Sequence, residues 1–225
     1  MSSQWEIEDF IANMKRPNLQ QALELVIRVQ GLDEDAHLVP VGHWILAEKR
    51  LIAEMATWRF ASRKNFFAQF PYSPASMRSY LEDVSIGQPD SLLFMILQSS
   101  KFVGHLGLRE VRETSVEIDS VMRGTYPSPR GLMQQALRTL LDLTFVKLGV
   151  QQASLRVLST NIRARDLYEK VGFRQVGLRP LGARLLPDGA TELSPKWATT
   201  SPVKEQEVLM SLKRRDWFDP SGPMP

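Results

Sequence analysis

The chain contains no cysteine among its 225 residues. That excludes a disulfide framework, a thiolate metal site and a cysteine nucleophile, and it suits a reducing compartment, so a cytoplasmic setting is expected. Histidine is scarce, at three residues. His37 and His43 stand near each other without a ligand pattern, so no metal is expected. No apolar run approaches the roughly 18 residues of a membrane span. The opening MSSQWEIEDF has neither a basic nor an apolar signal region and does not read as a signal peptide. Charge of one sign is also lacking: 28 Lys and Arg face 25 Asp and Glu, for a net charge of +3. That balance gives no electrostatic footprint for nucleic acid.

What is present is ordinary for a globular protein, with 43% hydrophobic and 24% charged residues. A chain of this length buries a full core without covalent staples. Residues 1–36 read as a helical appendage, with helices in WEIEDFIANM and LQQALELVIRV around the break at Pro17. From 37 to 217 a single layered domain is expected, followed by a disordered tail at 218–225. HLVPV (37–41) reads as a strand and 44–60 as a helix, with a short helix near 75–83. SLLFMIL (91–97) is continuously apolar, like a strand buried on both faces. FVGHLGLREV (102–111) and SVEIDSVMRG (115–124) read as an antiparallel pair. The period then changes: Met133, Ala136, Leu137, Leu140, Leu141, Thr144 and Leu148 mark a helix that ends at Gly149. ASLRVLST (153–160), a helix, FRQVGLRPLG (173–182), a loop over 183–205 and a final strand over 206–217 complete the order. The fold class is α/β or α+β, with a central mixed, mostly antiparallel sheet of about six or seven strands flanked by helices.

The stretch NIRARDLYEKVGF (161–173) carries the most information. Ala164, Leu167, Tyr168 and Val171 form one apolar stripe, while Arg163, Arg165, Asp166, Glu169 and Lys170 face water. Asn161 suits an N-cap and Gly172 a left-handed C-terminal position. Tyr168 is the residue this account leaves over, because a tyrosine in a core stripe needs a partner for its hydroxyl.

The pattern N-x-x-A-x-x-L-Y-x-K-x-G-F, preceded by the strand ASLRVLST and by the strand, loop and helix VEIDSVMRG, TYPSPR and GLMQQAL, resembles the GNAT superfamily of acyl-CoA-dependent N-acyltransferases. The resemblance spans about 37–217 and implies acetyl-CoA as co-substrate, an amine as acceptor and no metal. It places a pyrophosphate loop at Ser128, Arg130, Gly131, Leu132 and Met133, with Ser128 and Met133 standing where the family usually has Gln or Arg and Gly or Ala. A helix N-terminus with a nearby arginine is a physical anion seat. By the same resemblance the pantetheine arm runs along the strand end at Ser120, Val121, Met122 and Arg123. Asn161 and Ala164 then bind it, and Tyr168 protonates the leaving thiolate.

For the base, strand alternation puts Glu117, Asp119 and Val121 on one face, and Val103, His105, Gly107 and Arg109 on one face of the neighbouring strand. His105 and Glu117 are therefore expected to meet over a cleft, with Asp119 as a third candidate. For the acceptor, WRFASRKNFFAQF (58–70) sets Trp58, Arg59, Asn65, Phe66 and Phe67 side by side, cations beside rings. This suits a nucleotide-linked amino sugar and is similar to the amino-sugar N-acetyltransferases of bacterial surface-polysaccharide pathways. Acetylation of a protein or peptide amine, or a non-catalytic acyl-CoA-binding module, are the alternatives. A small-molecule amine is the expected partner. Neither nucleic acid nor membrane is expected, and a homodimer stays open.

Overall fold

The computed structural model describes residues 3–69, 72–187 and 189–219. The chain opens with α1 (Gln4–Met14) and the short α2 (Leu19–Leu23), then β1 (Ile27–Arg28) and β2 (Ala36–Pro40). A 3-10 turn leads into α3 (Lys49–Ala61), followed by β3 (Ala68–Gln69) and α4 (Pro74–Tyr80). The last of these runs on as a π-helical turn over Leu81–Ile86. Three strands follow, β4 (Leu92–Gln98), β5 (Lys101–Arg109) and β6 (Ser115–Arg123), then α5 (Leu132–Asp142). The second half adds β7 (Gln152–Leu158), α6 (Ile162–Val171), β8 (Arg174–Leu185), β9 (Thr191–Ser194), β10 (Pro202–Lys213) and α7 (Arg214–Phe218).

Ten strands form one mixed sheet in the order β1-β2-β4-β5-β6-β7-β10-β8-β9-β3. Every pairing is antiparallel except β6 with β7. Two cores cover the two faces. One gathers Ile7, Ile11 and Met14 of α1 with Leu137 and Leu140 of α5 and Tyr168 and Val171 of α6. The other gathers Ala22 of α2, Met55 and Trp58 of α3 and Met77 and Leu81 of the α4 segment. Strand β4 feeds both, Phe94 and Ile96 to the first and Leu93 and Met95 to the second, as its unbroken apolar run predicts. Among the described residues no helix is long and apolar enough to cross a membrane.

The sheet is larger than the expected six or seven strands, and the extra ones come from segments whose pattern is weak. LQQALELVIRV is helical only to Leu23; its β-branched end pairs with β2 as β1, Ile27 opposite Leu38. The 183–205 loop is partly a hairpin, since β8 continues to Leu185 and turns into β9. The final strand stops at Lys213, and α7 takes up Arg214–Phe218, so Phe218 lies in a helix rather than in a tail. The rest of that tail, from 220, falls outside the described residues.

Residues 1–36 are tied to the rest by more than apolar contact. Lys15 donates from Nζ to the carbonyls of Ile86 (2.9 Å) and Gln88 (2.5 Å), where the π-helical turn ends. A cation at a helix C-terminus meets unpaired carbonyls and the negative end of the dipole. Burial lowers the ammonium pKa to about 8 from its ordinary 10.5, against the opposing pull of Asp90. The unfolded chain keeps this proton up to the ordinary value, whereas the folded chain releases it near 8. Between those two pH values the unfolded state binds more protons, so this group makes stability rise with pH there. The melting temperature, followed by calorimetry from pH 7 to 10, should carry this rising component in the native chain and lose it in Lys15→Met. Parallel curves would show that Lys15 is not desolvated.

Candidate active site

Strands β6 and β7 run in register only over Ser115–Glu117 and Gln152–Ser154. The rest of each strand makes no ladder with the other, so the sheet opens into a wedge at its centre. The cause lies within β6. Against β5, His105 faces Met122 but Gly107 faces Asp119, so Ser120 and Val121 together oppose Leu106. This is a β-bulge, which bends its strand and increases the twist. Ser120 takes φ +54, in the left-handed region that non-glycine residues rarely occupy.

The bulge overturns part of the alternation argument. Beyond it the side chains change faces: Met122 joins the core beneath α3 with Trp58, while Val121 packs against the opposite one. A second irregularity in β5, between the pairs at Ile96 and Leu97, sends Val103 to the core opposite Trp58, the ring on which His105 stacks. His105 and Glu117 do not meet. Their cross-strand partners are Met122 and Arg109 respectively.

His105 is 3% exposed. Its Nδ1 lies 2.7 Å from the Ser120 carbonyl, so Nδ1 carries the proton and donates it. Its ring stacks on Trp58 at 6.5 Å, and Nε2 is buried without a partner. Burial, aided by the nearby Arg59 charge, lowers its pKa to about 4. Glu117 is held on both sides, by Arg109 Nη2 at 3.1 Å and by Arg156 Nη2 at 2.9 Å and Nε at 3.0 Å. It belongs to an alternating chain of charges. Arg109 also reaches Asp119 at 3.7 Å, Arg156 reaches Glu207 at 3.6 Å, and Arg179 pairs with the fully buried Glu207 carboxylate. The chain crosses β5, β6, β7, β10 and β8, which are consecutive neighbours in the sheet. A carboxylate so engaged is a cross-brace and a poor proton acceptor.

Asp119 is the carboxylate left facing the cleft. Its side chain is 36% exposed, and its only ion pair among the described residues is the loose contact with Arg109. Its charge reaches Tyr168, Tyr80 and His105. Tyr168 is buried, edge-on to Phe173 at 6.1 Å. Burial and the Asp119 charge push its phenol well above the ordinary value, so it holds its proton throughout neutral pH. Tyr80 is raised too, first by burial and then by the Asp119 charge, against its hydrogen bonds to Ser120 and Ser85 and the Arg59 charge. Its hydroxyl lies 2.7 Å from Ser120 Oγ. Tyr80, Ser85, Ser91, Gly107, Arg109, Asp119 and Ser120 line a small recess.

On the other side of the bulge lies the loop that leads into α5, the candidate anion seat. Gly131, at φ +83, caps α5, and no atom lies within 4 Å of where a Cβ would stand. Met133 and Gln134 begin the helix with N–H groups that have no acceptor among the described residues. The Met133 side chain packs into the core, leaving the mouth of the loop clear. Arg123 braces the loop through the Ser128 carbonyl at 3.1 Å, the Ser128 hydroxyl is buried without a partner, and Arg130 is exposed. An open cleft of about 520 Å³ runs between Arg123, Gly124, Tyr126 and Arg163. Arg163, in the first turn of α6, was not among the expected binding residues. A cation placed against the positive end of a helix dipole is the signal that could have marked it. Asn161 caps α6, Oδ1 accepting from Ala164 N at 3.3 Å, and its amide nitrogen has no protein partner among the described residues. The unpaired amides at the start of α5 with Arg123, Arg130 and Arg163 have the chemistry to hold a diphosphate. No group of metal-ligating side chains occurs among the described residues.

The expected acceptor residues separate. Trp58 is 2% exposed, and a Cβ at position 124 would lie 2.8 Å from its ring, so it is a core residue that no substrate touches. Phe67 packs with Leu158, Leu181 and Leu193. Arg59 lies over the Phe66 ring at 3.3 Å and donates to the Tyr72 hydroxyl at 2.9 Å. Asn65 is exposed in a 3-10 turn.

A family model described as an acetyltransferase (GNAT) domain matches residues 33–174. The chain belongs to this family and is an N-acetyltransferase. It is similar in structure to a probable GNAT-family acetyltransferase from Chromobacterium violaceum (16% identity, TM-score 0.63, covering 85% of this chain and 88% of that one). It is also similar to a mutant spermidine N-acetyltransferase from Vibrio cholerae (15% identity, TM-score 0.59, covering 83% and 98%). A nucleotide-linked sugar GNAT is a third such structure (12% identity, TM-score 0.56, covering 81% and 88%).

The His105 geometry has a measurable consequence. Followed by NMR, its imidazole should stay neutral to about pH 5 and titrate near 4. Between the ordinary value of 6.5 and 4 the unfolded chain takes up a proton that the folded chain refuses, so this group lowers stability as pH falls through that window. A titration near 6.5 would place the ring in solvent and contradict the structure.

Proposed function

We propose that the chain transfers the acetyl group of acetyl-CoA to a small primary amine held at Asp119. The observation that carries this reading is the wedge between β6 and β7, with an arginine-lined cleft on one side and the loosely paired Asp119 carboxylate on the other. Acetyl-CoA, when bound, supplies the thioester. The N–H groups at the start of α5, with Arg123, Arg130 and Arg163, hold its diphosphate, and Asn161 and Ala164 flank its arm. Asp119 attracts the ammonium and takes its proton, directly or through water. Peptide N–H groups of the Ser120–Met122 stretch face the developing oxyanion. Tyr168 keeps its proton at Oη and acts as a donor.

The acceptor side favours a compact substrate. The recess beside Asp119 is small, its wall mixing the hydroxyl-bearing Tyr80, Ser85, Ser91 and Ser120 with Val84, Leu92, Leu93 and Leu108. A nucleotide-linked amino sugar would need the stacking surface of Trp58 and Phe67, which are engaged in packing. A peptide amine would need an open groove in place of this recess.

Two measurements test the reading. Acetyl-CoA should bind in calorimetry, about tenfold more weakly to Arg163→Ala and to Asn161→Ala. In a thiol-release assay over a panel of small primary amines, Asp119→Asn should lower kcat about 10²-fold or more, and Tyr168→Phe about tenfold or more, with KM for acetyl-CoA nearly unchanged. Absence of acetyl-CoA binding would overturn the donor assignment. An active Asp119→Asn enzyme would overturn the acceptor assignment.

A further inference from the structure

Ser120 is gripped from two directions. Its Oγ lies 2.7 Å from the Tyr80 hydroxyl, and its carbonyl oxygen lies 2.7 Å from His105 Nδ1. The grip on the carbonyl is buried and the grip on the hydroxyl part-buried: Ser120 is 8% exposed and His105 3%. Between them the residue sits at φ +54, a conformation that costs an L-amino acid free energy unless its surroundings enforce it. The two grips come from different parts of the fold. Tyr80 ends α4, forty residues away, and His105 lies on β5.

We propose that Tyr80 and His105 are positioning residues that hold the Ser120 bulge in its strained conformation and so aim the peptide N–H groups of the 120–122 stretch at the reacting carbonyl. Neither touches the reacting atoms. This rests on the acyl-transfer reading above; it gives His105 a task and gives Tyr80 one beyond its place in the wall of the recess. The His105 tautomer supports it. With the proton fixed on Nδ1 by the Ser120 carbonyl, Nε2 faces a sealed site beside Trp58 and has no route to an amine. A general base needs access to the proton it removes, and this ring has none. Bracing matters here because β7 has already parted from β6, so the bulge lacks a ladder on that side. A misplaced oxyanion donor costs about 10²-fold or more in rate.

The test uses the full chain with Tyr80→Phe, His105→Leu and His105→Asn. Asparagine places an amide N–H where Nδ1–H stands and cannot act as a base at neutral pH. Three readouts are taken: acetyl-CoA affinity by calorimetry, thiol release from acetyl-CoA with and without amine, and amide hydrogen exchange at Val121 and Met122 in the free protein. The proposal expects His105→Leu and Tyr80→Phe to lower kcat about tenfold or more, with acetyl-CoA affinity within about threefold of native. It also expects exchange at those two amides to accelerate about tenfold. His105→Asn should recover most of the rate with an unshifted pH profile. Native exchange in both deletion variants overturns the proposal even if no acceptor is found, because that readout needs no turnover. So does a His105→Asn enzyme that loses the rate along with a limb of its pH profile, which would make the ring a base. Failure of the native protein to bind acetyl-CoA would instead count against the acyl-transfer reading, with the exchange data still deciding the clamp. A global loss of fold in His105→Leu, seen in its melting temperature, leaves Tyr80→Phe and His105→Asn to decide.

Discussion

Everything in this molecule is arranged around a sheet that comes apart in its middle. Parallel strands β6 and β7 share a ladder for three residues and then separate. Backbone groups in a sheet interior need partners, and an opening of this kind forfeits the hydrogen bonds that would have joined the two halves. The structure compensates with charge. Glu117, the last β6 residue in register, is held by Arg109 on one side and Arg156 of β7 on the other. Arg156 continues to Glu207 of β10, and Glu207 to Arg179 of β8. Removing Arg179 or Arg156 would leave the fully buried Glu207 carboxylate short of a partner, which is the costly case for such networks. The chain therefore stitches the two halves where the ladder stops, and leaves Asp119, one step further into the wedge, comparatively free.

The same logic explains how much of the site could be read from sequence. Asn161, Ala164, Tyr168, Val171 and Gly172 were legible because capping and helical period are local. Asn161 does cap α6, Tyr168 and Val171 are buried, and Gly172 takes the left-handed C-terminal position. The tyrosine left over by the packing argument is one whose phenol burial and Asp119 push well up. Strand alternation failed at one place for a definite reason. A period of two holds only while the ladder is unbroken, and the extra residue at Ser120 resets it. That reset sent Met122 to the core under α3 instead of the one that holds Ile118, while His105 misses Glu117 simply because the register pairs Glu117 with Arg109, four residues along β5. No local signal marks it, because serine is not a bulge residue by preference. The acceptor stretch at 58–70 misled in the opposite way. Rings beside cations read as a binding surface, but composition cannot tell a ring that meets a ligand from one that meets another strand. Trp58 and Phe67 meet Gly124 and Leu158.

The two halves of the chain also depend on each other more than an appendage and a domain would. Helix α1 contributes Ile7, Ile11 and Met14 to the core that holds Tyr168 and α5. Lys15 fixes the carbonyl end of the π-helical turn whose other end adjoins Tyr80. π-helical segments widen a helix by one residue per turn and change the direction in which its side chains point. The N-terminal residues thus help set the position of the side chain that meets Ser120. The acceptor recess and the donor wedge share that wall, since Tyr80, Ser120 and Asp119 line one and flank the other.

The choice of residue at position 120 follows from this sharing. Glycine would adopt φ +54 without strain, whereas serine there carries a cost of about 1–3 kcal/mol. A strained residue persists only where its surroundings over-determine it, and the hydroxyl is what makes that possible here. Without Oγ the Tyr80 phenol would lose the hydrogen bond that ties α4 to the bulge. Glycine would also restore the backbone freedom that a fixed oxyanion donor cannot have. Serine converts a flexible kink into a held one, and the strain it carries is offset by two short hydrogen bonds that meet at the same residue.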